Sequence, residues 1–267
     1  MQSVSVFCFY GRTKHYLCNF EYSGSSCLKT IVVSVICLNY IKNYLQLINI
    51  GNKSMIRRVY ESAMKVNLIN ELYVATPNKE IFDHVNEFGK VIMTSKNPLN
   101  GTERVYEAYQ KLNKEYDYII NIQGDEPFIK KEQIEDIISI CKSPNEICTL
   151  IKKEKYSNLI ERESIMKVVK NNSDEAMYFS RSLIPFQKIK TDYNKHICIY
   201  AYTPIALKKI ISLKPSKLEL SESLEQLRWL ENGYTVKLNT TKFDSFSIDT
   251  KEDLIFAEEF INKNNLK

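Results

Sequence analysis

The segment Asn121-Ile122-Gln123-Gly124-Asp125-Glu126-Pro127 carries an apolar run straight into a turn that presents carboxylates. Gly124 lets the backbone turn and come close to a ligand. Asp125 then stands where a divalent ion bridging nucleotide phosphates would lie. An ordinary acidic turn after a strand fits the same residues. Four further places hold groups that could act with it. Gly101-Thr102-Glu103-Arg104 combines a glycine turn, a capping threonine and a guanidinium able to fork onto an anion; a plain helix N-terminus fits equally. His196 is one of three histidines and opens a strand-like run, a position where a structural hydrogen bond is the commoner role. Glu225 and Gln226 fall on a helical stretch. Asp249 precedes a terminal helix, where an aspartate caps the helix N-terminus.

Strands and helices alternate in the pattern that would position these groups. Residues 30–38 and 116–122 read as buried strands, and 71–76 and 91–94 as shorter ones. Helices are expected over 54–67 with Ser54 as cap, 78–88 ending at Gly89, 102–113 and 131–141. This order implies βαβ units, a mainly parallel sheet and ligands beyond the carboxyl ends of its strands. Residues 165–248 are less regular. They read as strands at 165–169, 196–202 and 236–238 and helices at 204–212 and 221–232, a lid or subdomain continuing the sheet.

Composition excludes several classes. The chain has 267 residues, 37 basic and 32 acidic side chains, and a formal charge of +5. No basic stripe interleaved with aromatics points to nucleic acid. No apolar run is long enough for a membrane helix. The seven cysteines form no CxxC pair, which argues against zinc and for a reduced, cytoplasmic setting.

Taken together, these segments resemble the cytidylyltransferases that activate 3-deoxy-D-manno-octulosonate, an eight-carbon acidic sugar of lipopolysaccharide. The turn at 121–127 is similar to that family's Val-Gln-Gly-Asp-Glu-Pro signature, and residues 101–104 to its Ser-Gly-Thr-Glu-Arg loop, with Asn100 in place of Ser. Tyr178-Phe179-Ser180-Arg181-Ser182-Leu183-Ile184-Pro185, the strand His196-Ile197-Cys198-Ile199-Tyr200-Ala201-Tyr202, the helix Leu224-Glu225-Gln226-Leu227-Arg228 and the close at 247–254 follow in family order.

The resemblance implies a nucleotidyltransferase-like three-layer α/β sandwich with a mainly parallel sheet and a smaller sugar-binding and dimerising lobe. It implies transfer of CMP from CTP to the sugar, a homodimer, and magnesium held by Asp125 and Asp249. It places Gln123 in the pocket for nucleotide or sugar, and Arg104, Arg181, His196, Glu225 and Gln226 around the acidic sugar. A sialic-acid cytidylyltransferase shares fold and chemistry and is the nearest alternative.

The chain departs from that pattern at its N-terminal end. The family's phosphate loop carries Arg and Lys, whereas Cys37–Gln46 is shorter, has no Arg and only Lys42. Lys42 and Lys53 are the cations left for phosphate, and Lys53 is the nucleotide-binding candidate. Pro77 replaces a family Asp. Residues 1–29 match nothing in the family and read as an unmatched extension before a domain at 30–260; their single acidic residue, Glu21, would also suit a transit peptide. A non-catalytic remnant is therefore the alternative from another class.

Overall fold

The structure is a computed structural model and describes residues 29–35 and 45–264. The extension, apart from Lys29, and most of the expected phosphate loop, residues 36–44, lie outside the described residues.

Strand β1 (Thr30–Val35) lies between β4 (Glu71–Thr76) and β6 (Tyr118–Gln123), parallel to both, and β5 (Val91–Met93) continues the parallel set beyond β4. On the other side of β6, the long β10 (Tyr193–Tyr202) runs antiparallel to it. β7 (Ile147–Glu154) is antiparallel to β10, and β11 (Val236–Thr241) is parallel to β7. The hairpin β8 (Lys167–Lys170) and β9 (Ala176–Ser180) joins at β10. A small hairpin, β2 (Asn49–Ile50) and β3 (Lys53–Ser54), turns at Gly51, whose φ of 67° favours glycine.

Alternation along each strand sorts side chains into two cores. One face of the sheet, with Ile120 and Ile122, packs on α1 (Met55–Met64), α2 (Lys79–Asn86) and α4 (Lys131–Ile138). The other, with Ile119 and Tyr202, packs on α3 (Gly101–Leu112), α5 (Pro204–Ile210) and α7 (Gln226–Glu231). Helix–sheet–helix layering is thus the arrangement the sequence implies. The last helix, α8 (Lys251–Asn264), closes a third, smaller cluster of Ile50, Met55, Phe128, Ile248 and Ile261.

Several local expectations change. Ser54 precedes α1 but makes no capping bond; its Oγ meets His84 Nε2 at 2.7 Å. Gly89 is not among the left-handed glycines. A Cβ there would sit 2.5 Å from the Tyr60 ring, so close packing requires glycine. Asn100, not Thr102, caps α3, accepting from Glu103 N at 2.8 Å. The helix expected over 221–232 is two pieces. α6 (Lys217–Glu222) ends at Ser223, whose φ of 52° is left-handed, and α7 starts three residues later. The carbonyls exposed by that break accept from Arg181: Nε to Glu222 O at 2.7 Å and Nη2 to Ser223 O at 3.3 Å. β7 was not foreseen at all.

Candidate functional site

Register brings the acidic turns to one edge. β1, β4, β5 and β6 all point their carboxyl ends the same way. Ile199 pairs with Ile122, so the residues of β10 before Ile199 overhang the end of β6. β11 ends on the same edge, because it is parallel to β7, and the chain then returns across that edge through residues 242–249. The Ile248 N–H donates to Asp125 O at 2.9 Å, which ties the two acidic loops together.

Asp249 is not the helix cap. Thr250 Oγ1 accepts from Asp253 N at 3.1 Å, and Asp253 Oδ2 accepts from the N–H groups of Asp249 and Thr250 at 3.0 and 2.9 Å. The capping work is done by the Thr250–Asp253 pair, and Ser247 Oγ donates to Asp249 Oδ2 at 3.1 Å.

The electrostatics show the same convergence. Burial pushes the Cys198 thiol well above its ordinary range, and the charges of Glu126, Asp125 and Asp249 add to it while Lys195 opposes them. Burial also raises Glu126 to about 7, against a hydrogen bond from Ser245. Lys195 Nζ donates to Asp244 Oδ1 at 2.6 Å and to Ser245 O at 3.1 Å, and Lys152 reaches Asp244 Oδ2 at 3.1 Å. Glu126, Lys195, Cys198 and Asp244 were not singled out from the sequence. Their only signal was adjacency to Asp125 and His196.

A cavity of about 1370 Å³ opens here and is lined by Lys53, Glu126, Lys195, His196, Cys198 and Asp249, among others. Lys53 on β3 is paired with Glu61 at 2.6 Å. His196 is buried against the Phe179 and Tyr200 rings, and burial lowers it to about 3. It is therefore a neutral imidazole at neutral pH. Gln123 ends β6, half-buried, beside the Asp125 turn.

The remaining candidates gather around the N-terminus of α3 and the α6–α7 break. Thr102 Oγ1 donates to Glu225 Oε2 at 2.8 Å. Burial raises Glu225 to about 7, partly offset by that bond. Gln226 is buried on the first turn of α7. Arg104 is buried on α3 with Nη1 donating to Thr94 Oγ1 at 2.5 Å and Ser95 O at 3.1 Å. Arg181 spans both regions: besides the α6 carbonyls, its Nη1 donates to Glu163 O at 2.9 Å, and its N–H to Glu222 Oε2 at 2.9 Å. This group does not line the large cavity. It is linked to it through Phe179, His196, Tyr200 and Trp229, whose rings touch in series.

Among the described residues no cluster of three or more His, Cys, Asp or Glu is placed to cage a metal. Two carboxylates on tied turns are the donor set that suits magnesium, which keeps water and substrate phosphates as its other ligands.

An open, mainly parallel sheet with paired acidic turns across its carboxyl edge defines a nucleotide-handling α/β transferase. The family described as Cytidylyltransferase matches residues 42–243, and the chain belongs to that family. It is 44% identical over 227 residues to the 3-deoxy-manno-octulosonate cytidylyltransferase of Phocaeicola vulgatus, covering 80% of this chain and 89% of that protein. It is 45% identical over 219 residues to the enzyme of the same name from Cytophaga hutchinsonii, covering 78% and 88%. Among solved structures, a CMP:2-keto-3-deoxy-manno-octonic acid synthetase complexed with CTP superposes with a TM-score of 0.82 at 32% identity, covering 88% of this chain and 99% of that one.

Proposed function

We propose that this chain transfers CMP from CTP to 3-deoxy-D-manno-octulosonate, a step that activates the sugar for lipopolysaccharide synthesis. The sugar's anomeric oxygen bonds to the α-phosphorus, the bond to the bridging oxygen breaks, pyrophosphate leaves and the hydroxyl proton passes to solvent. The observation that carries this reading is the tie between the Asp125 and Asp249 loops at the sheet edge, 2.9 Å from Ile248 N to Asp125 O. Asp125 and Asp249 are the residues that would hold magnesium. Bound there, the ion would neutralise charge on the transferring phosphoryl group.

The chain's own residues position the reactants, and positioning is itself a large part of the rate. Gln123, at the end of β6 beside Asp125, contacts the nucleotide or the sugar. Arg104, Arg181, His196, Glu225 and Gln226 orient the acidic sugar. Each terminal nitrogen of Arg181 carries a second hydrogen beyond the one it gives to a backbone carbonyl. Lys53 serves the nucleotide side and must exchange Glu61 for phosphate to do so.

The domain at 30–260 carries this activity, with 1–29 as an extension. A homodimer is part of the proposal: β9 pairs only with β8 among the described strands, and Met177, Phe186 and Ile189 nearby in sequence are exposed. A cytoplasmic setting fits the free thiols of Cys141, Cys148 and Cys198. No helix among the described residues is long and apolar enough to cross a membrane.

The test is pyrophosphate release with CTP, magnesium and a panel of acidic sugars. Release with the octulosonate at the highest kcat/KM is expected; a preference for sialic acid would reassign the substrate. A second reading, a chain that keeps the fold without productive triphosphate binding, rests on the absence of Arg from Cys37–Gln46. Under it, no sugar in the panel yields pyrophosphate.

A further inference from the structure

The ends of β10 and β7 do not pair evenly. Ile197 faces Leu150 and Tyr200 faces Thr149, so Cys198 and Ile199 form a bulge against β7. A bulge leaves ladder groups unpaired and re-aims a side chain. Thr149 fills the gap. Its Oγ1 lies 2.7 Å from Ile199 O, 3.3 Å from Ile197 O and 2.9 Å from His196 Nε2, all buried.

A threonine hydroxyl has one hydrogen to give. Carbonyl oxygens only accept, and the shortest contact is to Ile199 O. The hydroxyl hydrogen is therefore committed to the bulge carbonyls. His196 Nε2, at hydrogen-bond distance from the same oxygen, must then be the donor. Were the hydrogen given to Nε2 instead, two oxygens would face each other at 2.7 Å with no proton between them. With Nε2 protonated and the ring neutral, Nδ1 is a bare acceptor. Nδ1 faces Cys198 Sγ at 3.8 Å, and both residues line the large cavity beside Asp249.

We infer that Thr149 is a positioning residue that locks His196 in the Nε2–H tautomer, so that Nδ1 is offered to the cavity as an acceptor for a sugar hydroxyl. A carboxylate has no hydrogen to give Nδ1, so the sugar's acid group must be met elsewhere, by a guanidinium. The Cys198 S–H, a weak donor, is the group that a hydroxyl would displace. This inference rests on His196 being a sugar contact.

The experiment uses the full chain labelled with ¹⁵N-histidine. Two-bond ¹H–¹⁵N spectra should show a pyrrole-like Nε2 and a pyridine-like Nδ1 for His196. Calorimetry with 3-deoxy-D-manno-octulosonate should show affinity falling about tenfold in Thr149→Val, the scale of one hydrogen bond, with CTP affinity changed less than twofold. Thr149→Ser keeps the hydroxyl and should restore both the tautomer and sugar affinity. An Nδ1-protonated ring in the unmodified chain overturns the inference, even where Thr149→Val does not fold. So does a Thr149→Val protein with unchanged sugar affinity, or a Thr149→Ser protein that keeps the tautomer but loses the sugar. If the tautomer is as assigned but His196→Ala binds the sugar normally, the sugar-contact reading falls and the Thr149–His196 lock stands.

Discussion

The Ile248 N–H donates to the Asp125 carbonyl at 2.9 Å across 123 positions of sequence. That single bond sets the loop after β6 against the loop after β11. Each loop carries a carboxylate one step from the bond or on it. Under the proposed metal role the two carboxylates must come within about 4–8 Å of each other, given metal–oxygen distances near 2.1 Å.

Asp125→Asn and Asp249→Asn should each lower kcat for pyrophosphate release by about 10²–10³, the scale for losing one preorganised electrostatic group. Tm should change little, because both side chains are only part-buried. Chelating the divalent ion should abolish release in the unmodified protein, and adding magnesium back should restore it. Full turnover by either variant would remove these residues from the metal site.

Arg181→Ala should raise KM for the sugar more than KM for CTP. The guanidinium also secures the α6 carbonyls, so a modest fall in Tm is expected alongside. Arg181→Lys keeps charge without the planar fork and should recover little. Equal rises in both KM values would argue against contact with the sugar carboxylate.

Glu225 makes stability depend on pH in a definite direction. Burial raises its folded value from 4.5 to about 7. Its neutral form contributes fully below 4.5, and the contribution is lost as pH rises through 7. Glu225→Gln cannot ionise, so its stability relative to the unmodified protein should improve between pH 5 and 8, by up to about 3 kcal/mol at 1.36 kcal/mol per pKa unit. Denaturant melts of both proteins at the two pH values measure this. Parallel pH dependence would mean that Glu225 is ionised in the folded chain.

The composition of residues 37–46 predicts weak or absent turnover, since Lys42 is their one cation. Calorimetry with CTP and magnesium should find poor affinity. A replacement loop of family length bearing Arg and Lys should restore turnover, with little thermodynamic cost for the added length. Brisk turnover by the unaltered chain would refute this. Failed rescue would move attention to Pro77, which precedes the Asn78 cap of α2.

The sequence by itself determined a good deal. The apolar run ending in Gln123-Gly124-Asp125 marked β6 and its acidic turn, because near-continuous β-branched residues suit a strand covered on both faces. Glu71–Thr76 was legible to the residue, and the start of α2 to within one residue of the Asn78 expected, because such signals are local. The altered composition of the phosphate loop could be read only there. Tertiary structure decided what depends on distant pairing. β7 begins apolar but ends Lys152-Lys153-Glu154, which hides a strand whose first half is interior and whose Lys152 pairs with the cavity residue Asp244. Ser223 broke an expected helix because the carbonyls released there bind Arg181, 42 positions away. The Thr250-x-x-Asp253 spacing is a local capping signal, but nothing near Asp249 in sequence says that its loop is tied to the Asp125 turn. Nor does anything near Thr149 announce that its one hydroxyl hydrogen sets the tautomer of His196. Periodicity and capping act over a few residues and leave a trace in sequence. A hydrogen bond between residues far apart in the chain leaves none until the strands are in register.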